Sequence, residues 1–124
     1  MSSLKGSVGE HAFALECLKR GLVVSWPTAT HLAYDLIVSS PRRDYRVQIK
    51  GVTKPHQGRT YRVTTHHNNR LYDPELVAYI VIWLADRNKW YIIPSAEIKT
   101  KTIYLKPDSA CRWNTFSGAW DEIK

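Results

Sequence analysis

Three residues in the stretch YDLIVSSPRRDYRVQIKGVTK, residues 34–54, are of types that do chemistry together: Asp35, Gln48 and Lys50. The stretch reads as two strands joined by a polar turn at 40–44. Gln48 and Lys50 are two residues apart, so they project from one face of a pleated strand. Asp35 lies on the preceding strand, which can fold back beside them through the turn. One acid, one amide oxygen and one ammonium group then converge near the strand ends. Glu10, on a leading helix, is the nearest candidate for a further carboxylate.

Such a group suits a hard divalent cation. Mg²⁺, or Mn²⁺ in its place, takes oxygen ligands in an octahedron and accepts a few protein ligands completed by water and phosphate oxygens. Asp35 supplies the anionic oxygen, Gln48 a neutral side-chain carbonyl, and the backbone of Ile49 a third oxygen. Water on the metal becomes acidic enough to act as a nucleophile, and the cation neutralises charge developing on phosphorus. Lys50 can orient that water or stabilise the transition state. None of the three residues needs a function when taken singly; their joint spacing carries the reading.

The elements that must position them are legible in the hydrophobic pattern. A helix is expected over 8–20, capped by Ser7 and stopped by Gly21, with Phe13, Leu15, Cys17, Leu18 and Leu22 as its apolar stripe. Strands are expected at 22–26, 33–39 and 45–50, with a loop at 27–31. On the third strand Val47 and Ile49 face one way and Arg46, Gln48 and Lys50 the other. After a loop at 51–59 come a strand at 60–65 and a polar, turn-rich segment. A continuous apolar run follows at 76–84 and suits a buried central strand, with Trp83 in the core. A hairpin partner at 90–94, a short helix at 94–99 and a strand at 102–106 complete the order, ahead of a Trp-rich, packed tail. No repeat, linker or low-complexity tract interrupts it, so residues 1–124 make one domain, a mixed α/β sheet with a leading helix.

The net charge of +7 is concentrated. Between residues 42 and 70 stand Arg42, Arg43, Arg46, Lys50, Lys54, Arg59, Arg62 and Arg70 against Asp44 alone, so this segment carries the whole excess. One basic sector on a balanced globule is the footprint of a protein that meets a polyanion, nucleic acid above all. A membrane surface fits less well, because the basic residues lie on strand-like segments. No run approaches the length of a membrane span, no signal-type apolar block opens the chain, and two cysteines make neither a disulfide framework nor a metal spacing. A cytoplasmic protein is expected, with Cys17 a small buried hydrophobe.

The pattern Asp35-x12-Gln48-x-Lys50, preceded by KGSVGE with Glu10 near the head of a helix, resembles the PD-(D/E)XK nuclease superfamily. RVQIKG followed by VAYIVIW and WYIIPSAEI is similar to its small members that carry Gln at the third acidic position, bacterial homing-type endonucleases among them. The opening Lys5-Gly6, Gly9-Glu10 and Arg20-Gly21-Leu22 also resembles archaeal-type Holliday-junction resolvases. The resemblance spans residues 5–123. It implies a restriction-endonuclease-like mixed β-sheet with a leading N-terminal helix, metal ligation by Asp35 and Gln48, Lys50 as the catalytic lysine, and Glu10 assisting the metal or its water. Two departures stand out. Tyr34 occupies the motif's proline position, and Gln48 removes a negative charge, so metal affinity should be weaker and lean on Asp35 and Glu10.

The remaining polar residues distribute themselves over a DNA surface. Thr53, Lys54, Arg59 and Arg62 follow the catalytic strand and are expected on phosphates, with Arg42 and Arg43 in the same basic sector. In THHNNR, extended neighbours His66 and His67 point to opposite sides and do not share a metal. His67 and Asn68 are expected near bases and Arg70 on a phosphate. The resulting expectation is a metal-dependent DNA endonuclease acting as a homodimer or higher homo-oligomer, since cutting two strands needs two sites. Without an evident base-reading element, branched DNA and a resolvase-like role are favoured over duplex. The alternatives are a sequence-specific homing or restriction-type endonuclease, a non-catalytic DNA-binding protein of the same fold, and an RNA-directed nuclease.

Overall fold

The computed structural model describes residues 4–29 and 32–124, and the expected loop at 27–31 is therefore described only to residue 29. Helix α1 (Leu4–Lys19) opens the chain. Nine strands follow: β1 (Val23–Ser25), β2 (Leu36–Ser39), β3 (Asp44–Val52), β4 (Tyr61–Thr64), β5 (His66–His67), β6 (Arg70–Leu71), β7 (Tyr79–Leu84), β8 (Lys89–Pro94) and β9 (Thr102–Leu105). Three short 3₁₀ turns cover Ser95–Glu97, Arg112–Phe116 and Trp120–Ile123.

The helix starts four residues earlier than its pattern suggested, so Ser7 lies inside it and is no cap. Its end is as expected. Gly21 takes φ +77°, the Leu22 amide donates to the Cys17 carbonyl at 2.9 Å, and the Gly21 amide donates to the Leu18 carbonyl at 3.1 Å. That pair of bonds satisfies carbonyls the helix leaves open, and glycine adopts the required left-handed geometry without a Cβ penalty. Phe13, Cys17 and Leu22 are buried, whereas Leu15 and Leu18 are 54% and 61% exposed. The expected stripe was too wide, because α1 rests on β3 and β1 along one narrow face.

Five strands form the main sheet in the order β1-β2-β3-β7-β8, antiparallel throughout except for the parallel pair β3 and β7. A parallel pair needs a crossover, and here the crossover carries β4 and the β5–β6 hairpin. β4 pairs instead with the distant β9 in a separate two-stranded ribbon. The result is three layers: helix, sheet and ribbon. Phe13, Cys17, Val47, Ile49 and Val81 pack between helix and sheet, joined by Trp90, Trp120 and Ile123. Tyr61, Val63, Ile103 and Leu105 of the ribbon pack against Ile80, Ile82, Tyr91 and Ile93 on the opposite face. β7 is apolar without alternation because both of its faces are covered. Trp83 is half-buried, stacked on Trp90 with ring centroids 5.3 Å apart, and its indole N–H donates to Asn88. The helix expected at 94–99 is a single 3₁₀ turn, while the tail packs as expected. Among the described residues no helix is long and apolar enough to cross a membrane.

Phe13 is fully buried and contacts both Trp90 and Trp120, with centroids 5.9 and 5.7 Å away. Phe13→Ala removes a ring that its two tryptophan neighbours cannot collapse to replace. The expected cost is about 3–5 kcal/mol, read as a lower urea midpoint at unchanged slope.

Candidate active site

Asp35 sits one residue ahead of β2, clipped to β3 by two hydrogen bonds. Its amide donates to the Val47 carbonyl at 2.9 Å, and its Oδ2 accepts from the Ile49 amide, also at 2.9 Å. Continuing the register Leu36↔Val47 by one residue sets Asp35 opposite Gln48. Gln48 and Lys50 pair in turn with Ile80 and Ile82 of β7, on the sheet face away from the helix. Both are half-buried, while Val47 and Ile49, which alternate with them, are buried against α1. The pleat has thus separated the strand into an apolar face and a chemical one. The ribbon covers the β7–β8 part of the chemical face, and the β3 residues stand at its margin.

Electrostatics ties the cluster together. Burial pushes the Asp35 carboxyl up to about 6, against the downward pull of the Ile49 amide; Glu10's like charge raises it further, and Lys50 and His67 lower it. Glu10 is only 8% exposed. Desolvation lowers the Lys50 ammonium, and Asp35's charge partly restores it. A buried acid with one hydrogen bond and a neighbouring carboxylate is a place that favours added positive charge.

Among the described residues no three His, Cys, Asp or Glu side chains gather as a metal site. Cation ligation at this place would therefore draw on Asp35, Glu10, the Gln48 side-chain oxygen and the Ile49 carbonyl. The donor set fits a hard, oxygen-seeking ion. The Gln48 amide nitrogen makes a long 3.5 Å contact to the Ile49 carbonyl, which puts those two groups side by side.

Tyr72 was not anticipated. It is 7% exposed, its ring lies 5.5 Å from Lys50 Nζ, and burial with the Asp35 charge pushes its phenol up to about 12. His67 packs near it, ring centroids 6.2 Å apart. The one available signal in the sequence was an aromatic among turn residues, which needs a packing reason. His67 belongs to β5, and the hairpin turns through Asn68 and Asn69 at φ 50° and 64°. Lys101 donates to Asn69 at 2.8 Å and holds that turn. His66 and His67 occupy successive positions of β5, which alternate in direction, and His66 Nδ1 is buried without a partner.

The expected DNA contacts divide. Lys50, Thr53, Lys54 and Arg62 line one cavity of about 320 Å³. His67 is part of the site, and Asn68 and Arg70 are exposed at the adjoining hairpin. Arg59 is 79% exposed and reaches Asp108 at 3.8 Å, an acid already held by Arg87. Arg42 and Arg43 are exposed in the β2–β3 turn, at the far end of β3 and about 20 Å along the strand from Lys50. They are not gathered with the others.

A family model for PD-(D/E)XK endonucleases matches residues 1–114. No curated protein matches the chain significantly. A bacterial homing endonuclease, I-Ssp6803I, superposes with a TM-score of 0.81 at 24% identity, covering 99% of this chain and 92% of that one. A Holliday junction resolvase, Hjc of the archaeal hyperthermophile Archaeoglobus fulgidus, gives 0.55 at 15% identity over 82% and 84% of the two chains. The restriction-endonuclease-like fold is thereby shown.

Two outcomes follow from the charges. Asp35 holds its proton more tightly folded than unfolded, so the stability this contributes is full below the ordinary value of 3.8 and is lost as pH rises through about 6. In the metal-free protein Asp35→Asn should raise the melting temperature by a few degrees at pH 8 and leave it unchanged at pH 3.5; an equal rise at both would refute the burial argument. The Tyr72 ring favours the charged form of Lys50. Tyr72→Leu should make Lys50 more acidic in an NMR titration, whereas Tyr72→Phe should not.

Proposed function

Because the chain belongs to the PD-(D/E)XK endonuclease family, we propose that it hydrolyses phosphodiester bonds of DNA with a divalent cation, Mg²⁺ or Mn²⁺, held at Asp35. The observation that carries this reading is the Ile49 amide bonded to Asp35 Oδ2 at 2.9 Å beside Gln48 and Lys50. It fixes the carboxylate on β3 and leaves the second oxygen for a ligand. When bound, the cation supplies an acidified water and offsets charge on the phosphate.

The chain's own residues do the rest. Asp35 and Glu10 provide negative charge in a desolvated place, and Gln48 adds a neutral oxygen. Lys50 brings its ammonium to the scissile phosphate or the attacking water, with Tyr72 holding it from one side. Thr53 and Lys54, in the same cavity as Lys50, meet the neighbouring phosphate. DNA rather than RNA is the substrate of this reading, and the basic sector at 42–70 provides the attraction. One domain holds one such site, so a homodimer is the minimal unit for cutting two strands. Val8, Leu15 and Leu18 on α1 and Val23 on edge strand β1 are each more than half exposed and offer apolar surface for that association.

The test is cleavage of a linear duplex and of an immobile four-way junction of the same sequences, in Mg²⁺ and in Mn²⁺. Wild type should cut at least one of them, and Asp35→Ala and Lys50→Ala should each lower the rate by 100-fold or more. DNA binding without cleavage in either metal would instead establish a non-catalytic binding protein.

A further inference from the structure

The β4–β9 ribbon has an outer face that neither the core nor the cleavage chemistry uses. Tyr61 and Val63 of β4 and Ile103 and Leu105 of β9 point inward and are at most 3% exposed. The alternate positions point outward, and the register makes them two cross-strand pairs: Arg62 opposite Tyr104, and Thr64 opposite Thr102. Tyr104 is 48% exposed, and Arg62 and Thr64 are exposed as well. Neither strand contains an acid, and β9 is flanked by Lys101 and Lys106.

A lid over a hydrophobic core needs only that its outer residues be polar. This one carries a forked donor, a large aromatic and two hydroxyls in a compact square, which is more than solubility asks. Its position is equally particular. The cavity of about 320 Å³ that contains Lys50 is closed on its other side by Arg62, Val63 and Thr64. Two outward residues of the ribbon, Arg62 and Thr64, thus border the cavity in which Lys50 stands.

We infer that the β4–β9 ribbon enters the major groove of duplex DNA and reads base edges there, with Arg62 on a guanine and Tyr104 and the two threonines on adjacent bases. A two-stranded ribbon has strands about 4.8 Å apart and fits a groove about 12 Å wide. Arginine's two parallel donors match the O6 and N7 acceptors of guanine, and threonine methyl groups suit thymine. Arg62 was expected on a phosphate; its outward place beside Tyr104 at the ribbon's centre suits a base contact better. The ribbon also supplies the base-reading element whose apparent lack favoured branched DNA, so the preferred substrate becomes a duplex of defined sequence. The inference rests on the reading of the chain as a DNA endonuclease, and deepens it.

The experiment separates the two. A duplex library with a randomised central segment is offered to wild type, Arg62→Ala, Arg62→Lys and Tyr104→Ala. One arm selects bound DNA without metal and the other sequences the ends cut in Mg²⁺. Wild type should enrich a defined sequence in both arms. Arg62→Ala and Arg62→Lys should each lose ten- to hundred-fold of the preference for guanine at one position, the lysine variant because a point charge lacks the fork. Tyr104→Ala should relax the neighbouring position. If Arg62→Ala weakens all sequences alike with the consensus intact, Arg62 is a phosphate contact and the inference is overturned. No enrichment by wild type in the binding arm overturns it too. A consensus that Arg62 variants lose, with nothing cut in the second arm, upholds the ribbon and removes the catalytic reading instead.

Discussion

The hydrogen bond from the Ile49 amide to the Asp35 carboxylate is the contact on which the arrangement of the site depends. β2 proper begins at Leu36, so at Asp35 the ladder is ending and the Ile49 amide has no backbone acceptor on that side. A buried amide must find a partner or cost free energy. Here a side chain takes the place of the next strand residue. In doing so it stops free rotation of the carboxylate and aims it along the face that carries Gln48 and Lys50. The same bond lowers the acid's pKa, yet burial outweighs it and holds the carboxyl near 6.

That balance follows from how the sheet is covered. β3 and β7 are the only parallel neighbours among the described strands, and the chain between them must cross over. Instead of a long helix, the crossover supplies β4 and the β5–β6 hairpin, and β4 recruits β9 to form the ribbon. The ribbon seals β7 and β8 but stops short of β3. Tyr72 and His67, from the hairpin region, complete the wall beside Lys50. One excursion of the chain thus closes the second core and defines one side of a partly desolvated cleft, where charge interactions are stronger than in open solvent.

What was legible in the sequence follows the range of the physics involved. Gln48 and Lys50 share a face because pleating has a period of two, and this needs no tertiary information. The glycine stop at residue 21 and the doubly buried run of β7 are similarly local. The extent of α1's buried face was not, since exposure of Leu15 and Leu18 depends on how little of the helix the sheet can cover. The ribbon was hidden because its strands lie about 40 residues apart and each alone shows only alternation. Tyr72 was hidden for the same reason: it gains its meaning from Lys50, which comes from the other side of the crossover. Grouping Arg42 and Arg43 with the site followed charge along the sequence, whereas the strand between them carries them to the opposite end.

Gln48 sharpens the question of how such a site is loaded. A glutamate there would place a third buried negative charge near Asp35 and Glu10, in a place where burial already pushes the Asp35 carboxyl up to about 6. The amide keeps the oxygen and removes that repulsion, so the metal-free fold is less strained electrostatically. The same substitution weakens the attraction for a cation. On the proposed reading, DNA phosphate makes up the difference, since Mg²⁺ accepts phosphate oxygens alongside few protein ligands. Metal and DNA then favour each other's binding, each raising the other's affinity by the same factor. Cation and phosphate together supply what the neutral amide leaves out, so on this reading a site with this donor set is complete only on its substrate.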